Sequence, residues 1–418
     1  MLKAASLFYA TVIALVISIL SGSLLLFSYF NQQEKEMYSR EEKVCRNAIS
    51  GIHLLMAQDS LISPKKLIDL FGDGTDSVSL QTFNWGAFKL ASCIAFSGKN
   101  KNSKAAMIGV LPDSNLKSSI YLTDNGKPLT LCGKTNIRGV CYLPQAGIKR
   151  GYIEGKSFVG NELISGTIKK SDKMLPALSK NILQWIHKIY SIASRSADSV
   201  IYCHSVLSKD SLSNSFFNKT LQLYSHGIIT VEPNMYASGN IKIVSDTMVK
   251  IKAGCTMHDV IIIAPMVIMD ERFNGEIQVF ATDSIGIGKH CSLNYPSVLV
   301  ISEQKVRVKN STVSIDEKSN LAGNILAYNE MPATHQQILV SISKEDTVRG
   351  MIYTNGDVDV KGVVYGNIMC NQFFLKTTSS EYEGYIMDAT VDITKLSKYF
   401  VSANLITSKN KSIAKWVN

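Results

Sequence analysis

The sequence predicts a mainly β protein: an N-terminal transmembrane helix and helical stalk, then a parallel β-helix or solenoid-like domain with one inserted helix. Three observations carry this. Residues 4–30 hold no charged side chain, short β-branched runs alternate with turns from Ser238 onward, and glycines recur at near-regular spacing in two zones. A β-sandwich is the alternative fold for the same short strands. The expected divisions are an anchor at 1–30, a stalk at 31–62, a first β-rich region at 63–170 and the inserted helix at 171–196. A β-helix-like domain at 197–370 and a cap at 371–418 complete the chain.

The apolar run is long enough to cross a bilayer, which needs about 20 apolar residues in a helix. It is longer than the roughly 7–15 residues of a signal-peptide core. Its end, Phe27-Ser28-Tyr29-Phe30, reads as an interfacial aromatic belt, so we expect a retained anchor. Ser6, Ala10, Ala14, Ser18 and Gly22 fall at every fourth position. That spacing makes a stripe of small residues along which a second helix backbone can pack.

After the anchor, residues 31–58 carry mixed charges and no proline, with Val44, Ala48, Ile52 and Leu55 at helical spacing. The helix is therefore expected to continue as a stalk until Ser63-Pro64 stops it. An apolar N-terminal helix running into an amphipathic stalk and then a β domain resembles the architecture of type IV pilin-like proteins. The likeness covers about the first sixty residues. The Gly-Phe processing site and the glutamate early in the helix that mark that family are absent here. Lys3 alone precedes the span, while Lys35, Arg40, Lys43 and Arg46 follow it, a count that by itself puts the body in the cytoplasm. Long domains translocate largely regardless of charge, so we expect a bacterial inner-membrane protein with a periplasmic body, and keep the cytoplasmic orientation as the alternative.

In the body, strands are expected at 241–244, 248–251, 260–263, 266–269, 277–280, 284–287 and 298–301. Alternate members lie 17–21 residues apart, the spacing of turns in a coil, and the Asn-Gly or Asp-Gly turns of hairpins are mostly missing. Gly350, Gly356, Gly362 and Gly366 punctuate Val358, Val360, Val363 and Val364. Glycine permits positive φ where a coil turns tightly, and these four are the expected coil turns. The stretch resembles bactofilins, polymer-forming β-helix proteins with rungs of the form G-x-V-x-G, over about twenty-five residues. That resemblance implies self-association without a nucleotide.

A second glycine zone runs from Gly133 to Gly166. Between the zones, Met174, Leu175, Leu178, Ile182, Trp185, Ile186 and Ile189 fall at helical spacing. This inserted helix is expected to cover an open end of the coil or to dock on a partner. The tail reads as a cap ending in a short amphipathic helix near Ile413-Ala414-Lys415-Trp416-Val417.

No chemistry stands out. The eight cysteines show no C-x-x-C spacing, which argues against zinc. Cys132 and Cys141 can pair as a disulfide in an oxidising compartment, Cys255 and Cys291 are spaced so that they could recur at equivalent coil positions, and most of the set are expected to be buried thiols. Gly133-Lys134-Thr135 lacks the first glycine of a phosphate loop, whose place Pro128 takes. His258-Asp259 and His290 fall near expected corners and read as loop residues. Asp357 and Asp359 share a strand face and read as a surface charge pair. The net charge of +10 is spread through alternating stretches such as Val306-Arg307-Val308-Lys309, so nucleic-acid binding is not expected. Asp followed by Ser or Thr and an aliphatic residue recurs at Asp59, Asp76, Asp198, Asp210, Asp246, Asp283 and Asp346. The pattern suits turns and also resembles an O-glycosylation motif of some Gram-negative envelopes. The expectation is a non-enzymatic scaffold or assembly component without metal or cofactor, in contact with the membrane and associating through the membrane helix and coil. A minor pilin-like subunit and a membrane-tethered glycan-binding or carbohydrate-active protein are the alternatives.

Overall fold

The structure is a computed structural model. It describes residues 2–58, 61–62, 65–70, 72, 74, 76–112, 117–192, 199–202, 206–207, 211–303, 310–330, 338–406, 408 and 410–417. Ser63-Pro64, Asp59, Asp198, Asp210, Cys203, His204, His335 and the stretch 306–309 lie outside this set. The chain divides into two compact units, Met1–Thr82 with Ala91–Lys104, and Phe83–Leu90 with Ala105–Asn418.

The first unit holds the helix α1 (Leu2–Ala57), unbroken over 56 residues and so about 84 Å long. Its last turns bury Val44, Ala48, Ile52 and Leu55, and Val78, Leu80, Ala91, Cys93 and Ala95 of the same unit are equally buried. Gly51 lets helix and sheet approach: a Cβ there would stand 2.3 Å from Cys93 Sγ and 2.9 Å from Leu80 Cδ2. Lys43 Nζ lies 2.8 Å from Asp76 Oδ2, which also accepts from Asn47 Nδ2. The Lys43 ammonium holds the Asp76 carboxyl below its usual range.

The second unit is a coil of parallel strands. Turn after turn gives a short strand to a ten-stranded sheet, parallel except for its last pair (Gln372–Lys376 with Glu381–Glu383), and a longer strand to a sixteen-stranded one, counted among the described residues. Strands Ile241–Ser245, Met248–Ile251, Thr256–Ile263, Met266–Met269, Asn274–Ala281, Ser284–Ile287 and Ser292–Glu303 contain all seven expected segments. Their pairings are parallel, which excludes the sandwich. The register shifts between His258 and Val260, Gly275 and Gln278, and Leu293 and Ser297. Each long strand bends there, giving the coil three sides. Inside, Ile229, Val249, Val267, Ile285, Val313, Val340, Val358 and Phe373 stack as ladder partners, all fully buried. Burying each such side chain stabilises by roughly 1.5–3 kcal/mol.

The coil is not wound in chain order. In the large sheet, Ile120–Leu122, Cys141–Leu143 and Ile168–Lys170 extend outward from Val363–Cys370, while the opposite end is Ser199–Tyr202. At the join one turn is composite. Its first side is Ile120–Leu122, which pairs with 368–370 of the preceding turn. Its second and third sides are Tyr385–Met387 and Thr390–Asp392, which pair with Leu129–Cys132 and Asn136–Arg138 of the next turn. The tail expected as a cap therefore fills the middle of the coil.

Two further expectations are corrected. Helix α2 (Lys180–Ile192) does not lie over a coil end. Leu178, Ile182, Ile186 and Ile189 pack in one cluster with Val244, Ile263, Phe280, Val300, Leu326 and Met351, which point outward from the first side. That side is apolar on both faces and needs a cover along its length. Trp185 Nε1 donates to Gly86 O at 2.7 Å and Tyr190 Oη to Ala281 O at 2.7 Å. The tail is not a helix: Lys411–Val417 is a strand antiparallel to Asn100–Val110, with a bulge between Ile413 and Lys415. Seven residues are too few for an independent helix, whereas an open sheet edge supplies a ladder at once.

A column of glycines lines one corner. A Cβ at Gly323, Gly350 or Gly366 would stand 1.8 Å from the carbonyl oxygen of the turn beneath, at φ +150, +148 and +159. Gly366→Ala is expected to cost on the order of 2–4 kcal/mol, read by denaturant unfolding of the full chain in detergent. Gly227→Ala, where nothing lies within 4 Å, serves as the near-neutral control. Equal midpoints for the two variants would show that the corner tolerates a side chain.

Candidate functional site

The N-terminal part of α1 is bare. From Ala5 to Phe30 its side chains are exposed apart from the half-buried Gly22, over roughly 39 Å of axis. This helix is long and apolar enough to cross a membrane, whose hydrocarbon core is about 30 Å thick. Ser6, Ala10, Ala14 and Ser18 are exposed, and nothing lies within 4 Å of the position a Cβ of Gly22 would take. The Ser18 hydroxyl donates to Ala14 O at 2.8 Å, so it is satisfied within the helix. The stripe thus offers a shallow, already hydrogen-bonded surface.

Three different corners hold the four glycines singled out above. Gly350 and Gly366 are ladder partners on the corner column. Gly356 precedes the strand Asp357–Val360 and Gly362 follows it, and at each a Cβ would stand within 2.7 Å of a backbone carbonyl oxygen of a neighbouring turn. Of the recurring Asp motifs, Asp246, Asp283 and Asp346 stand one or two residues before strands at such corners. Asp346 accepts from Ser319 N at 3.0 Å and Ser343 N at 2.8 Å, binding two turns together. Asp76 instead begins a strand of the first unit.

Asp357 and Asp359 are not a surface pair. They are 6% and 3% exposed, and the Oδ1 atom of each lacks a hydrogen-bond partner. Lys361 lies 2.9 Å from Asp359 Oδ2. Burial raises the Asp357 carboxyl to about 7, with Glu383 adding to the shift, and raises Asp359 in spite of Lys361. Alternation placed both on one strand face, but which layer covers that face is a tertiary matter. Paired carboxyls are the groups a glycosidase uses, yet these are sealed from solvent and offer a substrate no approach.

A second charged cluster corrects the reading of His258 and Asp259 as loop residues. Both lie within the strand Thr256–Ile263 and are gathered with Glu276 and Lys415, which the sequence did not connect to them. Lys415 Nζ lies 2.7 Å from Asp259 Oδ1 and 2.6 Å from Glu276 Oε1, and Glu276 Oε2 is 2.5 Å from His258 Nδ1. Asp259 adopts φ 62, and its carbonyl accepts from Trp85 Nε1 at 3.2 Å. Burial raises the Asp259 carboxyl. Burial also works against the charge on Lys415, but the two carboxylates outweigh it and hold the ammonium charged. The cluster fastens the last strand to the coil wall. His290 stands at another corner, with φ 57, and does not join it.

Among the described residues no group of three or more His, Cys, Asp or Glu is placed to hold a metal. The described cysteines are all free, and all but Cys45 are buried. Burial pushes the Cys93 and Cys141 thiols up to about 12, far from the range of a reactive thiolate. Cys255 and Cys291 occupy equivalent positions two turns apart, with Phe273 between them. One open depression is lined by Asp124, Asn125, Gly126, Gln145, Ala146 and Lys173. There the Asp124 carboxylate is occupied by the amides of Gly126 and Gln145.

The fold is thus mainly β, with one long apolar N-terminal helix, a large parallel-strand domain and one other helix. No protein-family model matches the chain, and no curated protein matches it. Among solved structures it is similar to the competence-associated pilin ComZ from Thermus thermophilus, at 12% identity over 85% of this chain and 87% of that one, with a TM-score of 0.22. A score of that size establishes no common fold. The likeness to bactofilins gains no support beyond the stretch that suggested it.

Burial of Asp357 has a measurable consequence. In the unfolded chain its pKa is about 3.9, so between roughly pH 4 and 7 the folded state holds a proton that the unfolded state has lost. The stability this contributes is present below pH 4 and is lost as pH rises through 7. Asp357→Asn is expected to be more stable than the parent at pH 8 by on the order of 1–3 kcal/mol and little changed at pH 4. Parallel stability curves for the two proteins would rule out a buried, proton-holding Asp357.

Proposed function

We propose that the protein is a membrane-anchored, non-catalytic assembly component in which α1 is the assembling element and the β coil is a rigid body carried on it. The observation that carries this is the division of one unbroken helix into a bare apolar half with a small-residue stripe, an exposed charged stretch, and last turns from Val44 onward that are packed in its own unit. A helix used only as a tether gains nothing from such a stripe. A helix that packs against others of its kind gains close backbone approach. The exposed apolar length suits the bilayer before assembly and a bundle of like helices after it.

A minor pilin-like subunit of a secretion or surface-filament system is the finer form of this reading. A single helix running from an apolar segment into a small β-sheet supports it. In that form the body is periplasmic.

Two experiments test the proposal. Single cysteines at Ala10, Ala14 and Ser18 are expected to form oxidative cross-links between copies in native membranes. Cysteines at Val12 and Ile19, off the stripe, should link at least several-fold less. Uniform cross-linking around the helix, or none, would remove the helix as the assembling element. Ser379→Cys is exposed on the coil and reports orientation. Labelling by a membrane-impermeant thiol reagent in intact cells is expected, and labelling only after lysis would place the body in the cytoplasm.

A further inference from the structure

The two ends of the coil differ chemically. At the end built by 134–174, the sequence holds eight Lys or Arg against three Asp or Glu, a net +5 out of the chain's +10 in about a tenth of its length. The terminal strands are Ile168–Lys170 on the first side and Ile148–Arg150 on the second. Lys149, Lys169, Lys170 and Lys173 are exposed there. Lys169 sits 5.5 Å from the Tyr142 ring, and Arg150 is taken up by the carbonyls of Gly160 and Asn161. Lys149, Lys170 and Lys173 have no ion pair among the described residues. The same end exposes large apolar side chains: Tyr152 at 71%, Val159 at 63%, Ile168 at 50% and Met174 at 79%. At the opposite end the terminal strand of the first side, Ser199–Tyr202, carries no charged side chain.

Lysines on a terminal strand guard a sheet edge against pairing with another sheet, so this end is poorly suited to stacking a second coil. Uncompensated positive charge calls for an anionic partner. The apolar residues decide which kind. Tyr152 stands in the short hairpin Tyr152–Ile153 and Lys156–Ser157, with Val159 just after it, and Met174 follows the last strand of the first side. Val, Ile and Met offer neither hydrogen bonds nor a stacking face to a phosphodiester or a sugar. They do partition into the headgroup and acyl boundary of a bilayer, where neighbouring lysines meet anionic headgroups.

We propose that this end of the coil docks on an anionic lipid surface, giving the protein a second membrane attachment besides α1. This is independent of whether α1 assembles with its like.

The test uses the full chain held by α1 in nanodiscs of phosphatidylcholine, mixed with vesicles of phosphatidylcholine with or without phosphatidylglycerol. Capture of the phosphatidylglycerol vesicles alone, weakening as salt is raised, is expected. Lys149→Gln, Lys170→Gln and Lys173→Gln together should lower capture about a hundredfold, since each lysine near such a surface is worth roughly fivefold. Met174→Asp should weaken capture while leaving its salt dependence in place. Matching thermal unfolding confirms that these exposed changes leave the fold intact, and the parent protein alone decides the lipid question. Equal capture of both vesicle types, no capture at low salt, or capture untouched by the lysine changes would overturn the proposal. Retention of duplex DNA or an acidic polysaccharide with the vesicles left free would reassign this end to a polymeric anion.

Discussion

One backbone ladder holds the large unit together where the chain itself does not. Ile120–Leu122 and 368–370 pair as parallel strands, although almost the whole coil lies between them in sequence. The composite turn repeats the join on the other two sides through Tyr385–Met387 and Thr390–Asp392. Asn367 Nδ2 donates to Ser118 O and, at 2.9 Å, to Ser118 Oγ, and Lys156 pairs with Asp388 at 2.7 Å across the same seam. Such contacts have to repay the entropy of closing a very long loop, though that cost grows only slowly with length. Once closed, the seam makes two stretches of chain into one continuous apolar interior.

The ladder imposes its own geometry on the corners. Successive strands sit about 4.8 Å apart, so where the backbone folds over the turn beneath there is no room for a side chain. Gly323, Gly350 and Gly366 meet that demand by stacking on one corner. Another corner uses residues in the left-handed region, among them Arg272, His290, Lys318 and Glu345, where the side chain projects outward and the strain is local. The first side, apolar within and without, demands a cover. Helix α2 supplies it, together with the Gly86 hairpin, which Gln278 grips through Ala87 N at 2.7 Å and Trp85 O at 3.2 Å.

The division of chemistry follows from this construction. Carboxyls that fall inside the wrapped layers, such as Asp357 and the Asp259–Glu276 pair, are fixed structural groups, either holding a proton or neutralised by Lys415. Those at corners bind turns together, as Asp346 does. Among the described residues, the bare half of α1 and the terminal strands of the coil are open to partners, one of those strands basic and the other, Ser199–Tyr202, without charge. The reading of an assembly component rests on where those surfaces are.

By itself the sequence determined the local elements: the span and stalk of α1, seven strands of the coil, α2 and the glycine corners. Each follows from a short-range rule of periodicity, uninterrupted apolar length or glycine's missing Cβ. Of the four expected coil turns only Gly350 and Gly366 take positive φ, while Gly356 and Gly362 stand where a carbonyl leaves no room for a side chain. The tertiary structure alone decided that residues 120–170 and 199–392 form one coil, that α2 lies along a side and not over an end, and that 411–417 is a strand. It also decided that Asp357 and Asp359 are buried. The physical reason is common to all four. Parallel ladders and lateral covers join residues hundreds of positions apart, and alternation along a strand tells which side chains share a face without telling what packs against it.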